Sequence, residues 1–174
     1  TEASNSFIGN NTNKLNSDIL NAVKKFNGNV FLAGGCWRAN IDKSPIKDYD
    51  IFFKDISLVD AFKEVLVGLG YKKIFECPVG HLHSFKLEVL LGRNINVQLI
   101  TETEYNNTQA LIDTFDITAC CCAWDGNSFA FHETFHDDCE SKTVKLNNVE
   151  YHVSTFKRMM KYKDKGYTIP DTTI

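Results

Sequence analysis

One stretch constrains this chain more than any other. A short apolar run ends on two glycines, and two acids follow it at a spacing of two. Val30 to Ala33 has the length and composition of a strand. Gly34-Gly35 breaks that strand and lets the backbone turn sharply or approach a ligand closely. A short helix through Arg38 and a loop lead to Lys47-Asp-Tyr-Asp-Ile-Phe-Phe53, which reads as a second strand. Side chains alternate along a strand, so Asp48 and Asp50 leave one face and Tyr49 the other. Two carboxylates a few ångströms apart repel unless a cation sits between them.

The rest of the chain alternates helix and strand signals. Ser17 caps a predicted helix from Asp18 to Phe26, with Ile19, Leu20, Val23 and Phe26 at helical spacing. Ser57 caps a second helix, whose stripe is Leu58, Phe62, Val65, Leu66 and Leu69 and whose stop is Gly70. Strands are predicted over Tyr71 to Glu76, His83 to Leu91 and Asn94 to Ile100, with a hairpin at Gly92-Arg93. Asn106 to Asp113 reads as a weaker helix. Phe115 to Trp124 is apolar and fits either helix or strand. A hairpin is expected over Val144 to Val153. Ser154 then caps a basic helix, Thr155 to Lys165. This is a single mixed α/β domain within 174 residues. Its expected divisions are a flexible segment at 1–13, the main domain at 14–153, and a basic helix with tail at 154–174.

Gly34-Gly35-x-x-Arg38 followed by Lys47-Asp48-x-Asp50-Ile51 resembles the signature of the DNA polymerase β-like nucleotidyltransferases. It is most similar to the head domain of CCA-adding enzymes and bacterial poly(A) polymerases, in a minimal phage- or virus-like version without neck and body helices. The resemblance implies a nucleotidyltransferase-type mixed sheet flanked by helices. It also implies transfer of a nucleotide from an NTP to an acceptor hydroxyl. Asp48 and Asp50 are then the catalytic residues and hold Mg²⁺ or Mn²⁺, hard ions that suit carboxylate oxygens. Gly34, Gly35, Arg38 and Lys47 face the triphosphate. Phe115-Asp-Ile-Thr-Ala-Cys-Cys-Cys-Ala-Trp-Asp125 resembles a second motif of the family, Arg-Arg-Asp-Phe-Thr-x-Asn-Ala, and places Asp116 among the nucleotide contacts. The motif's arginines are replaced by Thr114 and Phe115, and its asparagine by Cys120. Many relatives add a third carboxylate on a later strand. Here that strand offers Asn96 or Gln98, and an amide is a weaker metal ligand.

The acceptor implied by the resemblance is an RNA or tRNA 3′ end, with a protein acceptor also open. The formal charge of −3 gives no global basic field, so nucleic acid needs a local patch. Lys157, Lys161 and Lys165 recur every four residues with Arg158 beside them, and this stripe is the expected RNA surface. It is expected to lie apart from the nucleotide site, with Phe156, Met159 and Met160 turned to the core. The alternative reading is a catalytically degenerate nucleotide- or RNA-binding or partner-blocking protein of the same fold. A remoter one rests on His132-Glu-Thr-Phe-His136, which matches the H-E-x-x-H zinc protease signature and would need one helix and a third ligand, Glu140 or Glu150. No apolar run is long enough to span a membrane. Six cysteines that include the contiguous Cys120 to Cys122 do not suit a disulfide framework. They point to reduced thiols and a cytoplasmic setting, or the host cytoplasm for a phage protein.

Overall fold

The helix that leads into the glycine strand is α1, Ser17–Lys24. In the computed structural model, which describes residues 15–46, 48–77, 82–89 and 93–173, its cap is Asn16 rather than Ser17. The Asn16 Oδ1 accepts the Ile19 N–H at 3.1 Å, satisfying a first-turn donor. Strand β1, Val30–Ala33, is wholly buried and runs through Gly34 into α2, Gly35–Asp42. Strand β2, Asp48–Phe53, follows. Helix α3, Val59–Gly68, is entered through a 3₁₀ turn capped by Asp55, whose carboxylate accepts the Ser57 N–H at 2.9 Å. Ser57 is therefore inside the entry turn, not at its cap.

Strands β3 (Lys72–Glu76), β4 (Leu82–Val89) and β5 (Arg93–Glu104) form an antiparallel meander. Gly92, the expected hairpin tip, lies outside the described residues, as do 1–13 and Lys47. Helix α4, Thr108–Ile112, is capped by Asn107. The ambiguous cysteine stretch resolves into a 3₁₀ turn, Thr118–Cys120, and strand β6, Cys122–Trp124. Strand β7, Phe129–Phe131, pairs with it. Among the described residues seven strands form one mixed sheet in the order β3-β4-β5-β2-β1-β6-β7. Within it β2 and β5 pair in parallel and the other neighbours antiparallel. All six cysteines are free thiols.

The sheet has two unlike faces. Ile51, Phe53, Phe85, Val97 and Leu99 pack against α1 and α3, with Phe62 edge-on to Phe53 at 5.9 Å and tilted against Phe26 at 5.4 Å. On the opposite face a small cluster under α4 includes Phe31, Ala33, Phe52, Leu111 and Ile112. Beyond that cluster the face turns polar. Asp48 pairs in register with Asn96 and Asp50 with Gln98, and next along are Lys86 and Ser84. An antiparallel sheet can leave one face to water, and its alternation shows it here.

Helices α5 (Phe135–Ser141) and α6 (His152–Asp164) complete the chain. Helix α6 starts three residues before the expected Thr155, with Tyr151 rather than Ser154 at its N-cap. The hairpin expected over Val144 to Val153 does not form. Asn147 and Asn148 instead donate backbone N–H groups to the Asp116 and Phe115 carbonyls, at 2.7 and 3.1 Å. Thr155, Met159 and Tyr162 are the buried positions of α6. Phe156 and Met160, expected in the core, are exposed, because the helix turns its 155-159-162 stripe inward. Met159, Tyr162 and Tyr167 join the same core as β1 and α1.

Replacing fully buried Phe62 by alanine should cost about 3–5 kcal/mol in urea unfolding, with the slope unchanged. A loss below about 1 kcal/mol would show that α3 does not hold the sheet.

Candidate functional site

The Gly34 backbone sits at φ +87°, ψ −137°, a conformation that costs any other residue roughly 1–3 kcal/mol. This turn ends β1 and starts α2 within one residue. Ala33 is paired with Asp50 across the β1–β2 ladder, so the turn emerges beside the acid. A Cβ placed on Gly34 would lie 3.6 Å from Asp50 Oδ2. The Gly34 N–H is taken by the Cys122 carbonyl at 3.1 Å. The Trp37 N–H bonds the Gly34 carbonyl at 3.1 Å, so an anion at this helix start would meet the N–H groups of Gly35 and Cys36.

These elements open onto a cleft of about 650 Å³. One wall carries Gly34, Gly35, Asp48 and Asp50, and the facing wall is α6, with Arg158, Lys161, Tyr162 and Lys165. No described lysine or arginine closes an ion pair with either acid. Burial and then the Asp48 charge push the Asp50 carboxyl up to about 6, against a smaller opposing pull from Arg158. A pair of oxygen donors that makes no ion pair with a described lysine or arginine fits a divalent cation.

Arg38 also lines the cleft, but it is 6% exposed and locked. It pairs with Asp42 one turn on, donates to Ser44 Oγ at 3.1 Å, and stacks over the Tyr162 ring at 5.5 Å. Tyr167 donates its hydroxyl to the same Asp42 carboxylate at 2.9 Å. Burial alone would raise the Asp42 pKa; the Ser44 hydroxyl and amide, Arg38 and Tyr167 outweigh it and hold the group below the usual range. This network ties α2 to the end of α6.

Residues 4–142 match the family model described as Gabija anti-defense 2 family protein. The chain belongs to the Gabija anti-defense 2 family. A relative named Gabija anti-defense 2, from Bacillus phage SPbetaL7, is 25% identical over 162 residues, which is 89% of this chain and 37% of that protein. The chain thus spans well under half the length of this relative. Among solved structures, a CCA-adding enzyme in complex with ATP matches with a TM-score of 0.67 and 17% identity, over 97% of this chain and 43% of that one. The Thermotoga maritima CCA-adding enzyme complexed with tRNA matches with a TM-score of 0.61 and 16% identity, over 93% and 42%. This family member therefore has the nucleotidyltransferase fold that the glycine and aspartate motifs imply.

The structure brings together Gly34, Gly35, Arg38, Asp48 and Asp50, all expected at the site. It adds Arg158, Lys161 and Lys165, which the sequence placed on a separate RNA surface. That separation is wrong: the 158-161-165 stripe of α6 faces the acids across the cleft. Lys157, the fourth member, is exposed and outside the lining. Asp116, expected against the nucleotide, does not line the cleft. Its carboxylate accepts from Thr155 Oγ1 at 3.0 Å and meets Arg158 Nε at 3.4 Å, so it positions Arg158. Lys47 lies outside the described residues. Tyr162, Ser44 and Phe52 were not singled out in the sequence. Phe52 continues the 48-50-52 alternation and was legible there; Tyr162 and Ser44 come from the packing of α6 on α2.

The zinc protease reading loses its geometry. His132 precedes α5 and its ring accepts the Thr134 N–H at 3.1 Å, so His132 and His136 do not share a helix face. His136, Asp137 and Glu140 do cluster, but all three are exposed, as on an ordinary solvated helix face.

Asp50 gives a signed pH prediction. Its carboxyl titrates at about 6 folded and about 4 unfolded. Between these values the folded state binds more protons, so its contribution is intact below about pH 4 and falls as pH rises through 6. Without divalent cations, Asp50→Asn should gain up to about 3 kcal/mol at pH 7 and nothing below about pH 4. Equal gains at both pH values would trace the effect to packing instead.

Proposed function

We propose that this chain transfers a nucleotidyl group from a nucleoside triphosphate to an acceptor hydroxyl. The observation that carries the proposal is the Asp48–Asp50 pair beside the Gly34 turn, facing the cationic stripe of α6. Asp48 and Asp50 would hold Mg²⁺ or Mn²⁺, which when bound offsets charge on the phosphate oxygens and favours the attacking hydroxyl. The chain's own residues do the positioning. The first-turn N–H groups of α2, with Lys161 and Lys165, hold the triphosphate. Arg38 keeps α2 and α6 at a fixed separation. Burial and the Asp48 charge push the metal-free Asp50 carboxyl up to about 6, so cation binding should strengthen as pH rises through that value.

The fold and the resemblance support an RNA 3′ end as acceptor, since solved neighbours of this fold include complexes with tRNA and ATP. The relative's anti-defense name supports a setting in the infected host, with a host macromolecule as the target. No helix among the described residues is long and apolar enough to cross a membrane, which suits a site of action in the cytoplasm.

A second reading is favoured by one observation. Asn96 and Gln98 stand in register with Asp48 and Asp50, where many relatives carry a third carboxylate. The chain would then bind a nucleotide without transferring it.

Incubation with each labelled NTP, Mg²⁺ or Mn²⁺ and a mixed RNA pool separates the two. Transfer should appear and be abolished by Asp48→Ala or Asp50→Ala. NTP binding with no transfer to RNA, protein or small-molecule hydroxyls would favour the binding-only reading. His132→Ala and His136→Ala should leave transfer within a few-fold of wild type. One zinc per chain, lost in either histidine variant, would restore the protease reading.

A further inference from the structure

The cleft is chemically polarised along its length. At one end Arg38 lies over the Tyr162 ring at 5.5 Å and Lys165 over the same ring at 5.2 Å. At the other end stand two aromatic rings. Phe52 follows Asp50 by two residues on the same face of β2, about 7 Å along the strand. Phe115 packs against it at 5.8 Å between ring centroids, tilted by 53°, and both rings line the cleft. The acids sit between the two ends, beside the Gly34 turn.

The cationic end suits phosphates and the aromatic end suits a flat apolar ring. A nucleoside triphosphate has one of each, joined through a sugar. The polar groups of the lining between the two ends, which could read a base edge, make contacts within the protein. The Tyr162 hydroxyl and Cys120 Sγ lie 2.6 Å apart. Arg158 donates to Cys120 Sγ at 3.1 Å and pairs with Asp116. Phe115 itself stands where the resembling motif has an arginine, so a hydrogen-bonding group is replaced by a stacking one.

We infer that Phe115, backed by Phe52, is the nucleobase subsite of this cleft, holding the base by stacking and leaving its hydrogen-bonding edge unread. The inference rests on the nucleotide reading above and adds its specificity. Stacking is tolerant of base identity because every base has a π-face. Edge readout by buried polar groups instead discriminates by about 10⁴-fold or more. The site should therefore take all four nucleoside triphosphates, purines first because of their larger rings.

The test is equilibrium binding of ATP, GTP, CTP, UTP and inorganic triphosphate to the full chain with Mn²⁺. The four nucleotides should bind within about tenfold of one another, and each more tightly than inorganic triphosphate. Phe115→Ala should weaken all four by at least about fivefold, the lower end of one aromatic–base stack, and leave inorganic triphosphate unchanged. Phe115→Leu keeps apolar bulk for the fold and should show the same loss, whereas Phe115→Trp should retain binding. A single base favoured by more than about a thousandfold would overturn the inference. So would equal weakening of nucleotide and inorganic triphosphate in Phe115→Leu, or unchanged nucleotide binding in both Phe115→Ala and Phe115→Leu. If nucleotides bind only as well as inorganic triphosphate, the base subsite is wrong and the phosphate reading stands. If neither binds, the nucleotide reading itself fails.

Discussion

The antiparallel pairing of β1 with β2 is the constraint on which the site depends. It sets Ala33 opposite Asp50, so the residue that follows Ala33 turns at the acid's side. That residue has φ +87°, which only glycine adopts without strain. One backbone register thus fixes the start of α2, the height of the carboxylates and the floor of the cleft. A slip of one residue would turn Asp48 and Asp50 into the core and Tyr49 and Ile51 out of it. The burial of Ile51 and Phe53 under α3 makes that slip costly.

Helix α6 is the other half of the cleft, and its position is fixed from both ends. At its start, Thr155 reaches the Asp116 carboxylate; near its end, Tyr162 and Tyr167 meet Arg38 and Asp42 of α2. Thr155, Met159 and Tyr162 are buried between these points. With that stripe inward, Arg158, Lys161 and Lys165 fall on the side that faces the acids. Their charges are opposite in sign to those of Asp48 and Asp50 on the other wall of the cleft, an arrangement complementary to a ligand that carries phosphate and metal together.

The open polar face of β5, β4 and β3 follows from the same topology. Helices α1 and α3 cover one side of β4 and β5, β3 is exposed along its length, and α4 covers the other side only near Phe31 and Phe52. Asn96, Gln98, Ser84 and Lys86 occupy the uncovered part, in line with the acid pair. The fold therefore presents its carboxylates at the border between a closed aromatic cluster and a solvated polar sheet.

Much of this was written in the sequence. The turn at Gly34, the helix of α2 and the shared face of Asp48 and Asp50 depend on local periodicity and backbone freedom, which a single strand of residues expresses directly. The same holds for β3, β4, β5 and for the amides beside the acids, since β-alternation carries over from strand to strand. What the sequence misplaced was long-range. The basic residues of α6 read as a separate surface, because spacing along a helix reports which residues share a stripe and not what the stripe faces. Phe156 and Met160 read as core for the same reason. Asp116 read as a nucleotide contact, yet its partners are Thr155 and Arg158, about forty residues away. Helix faces are assigned by what packs against them, so the cationic wall, the Arg38–Asp42–Tyr167 network and the Phe52–Phe115 shelf were decided only when the chain closed on itself.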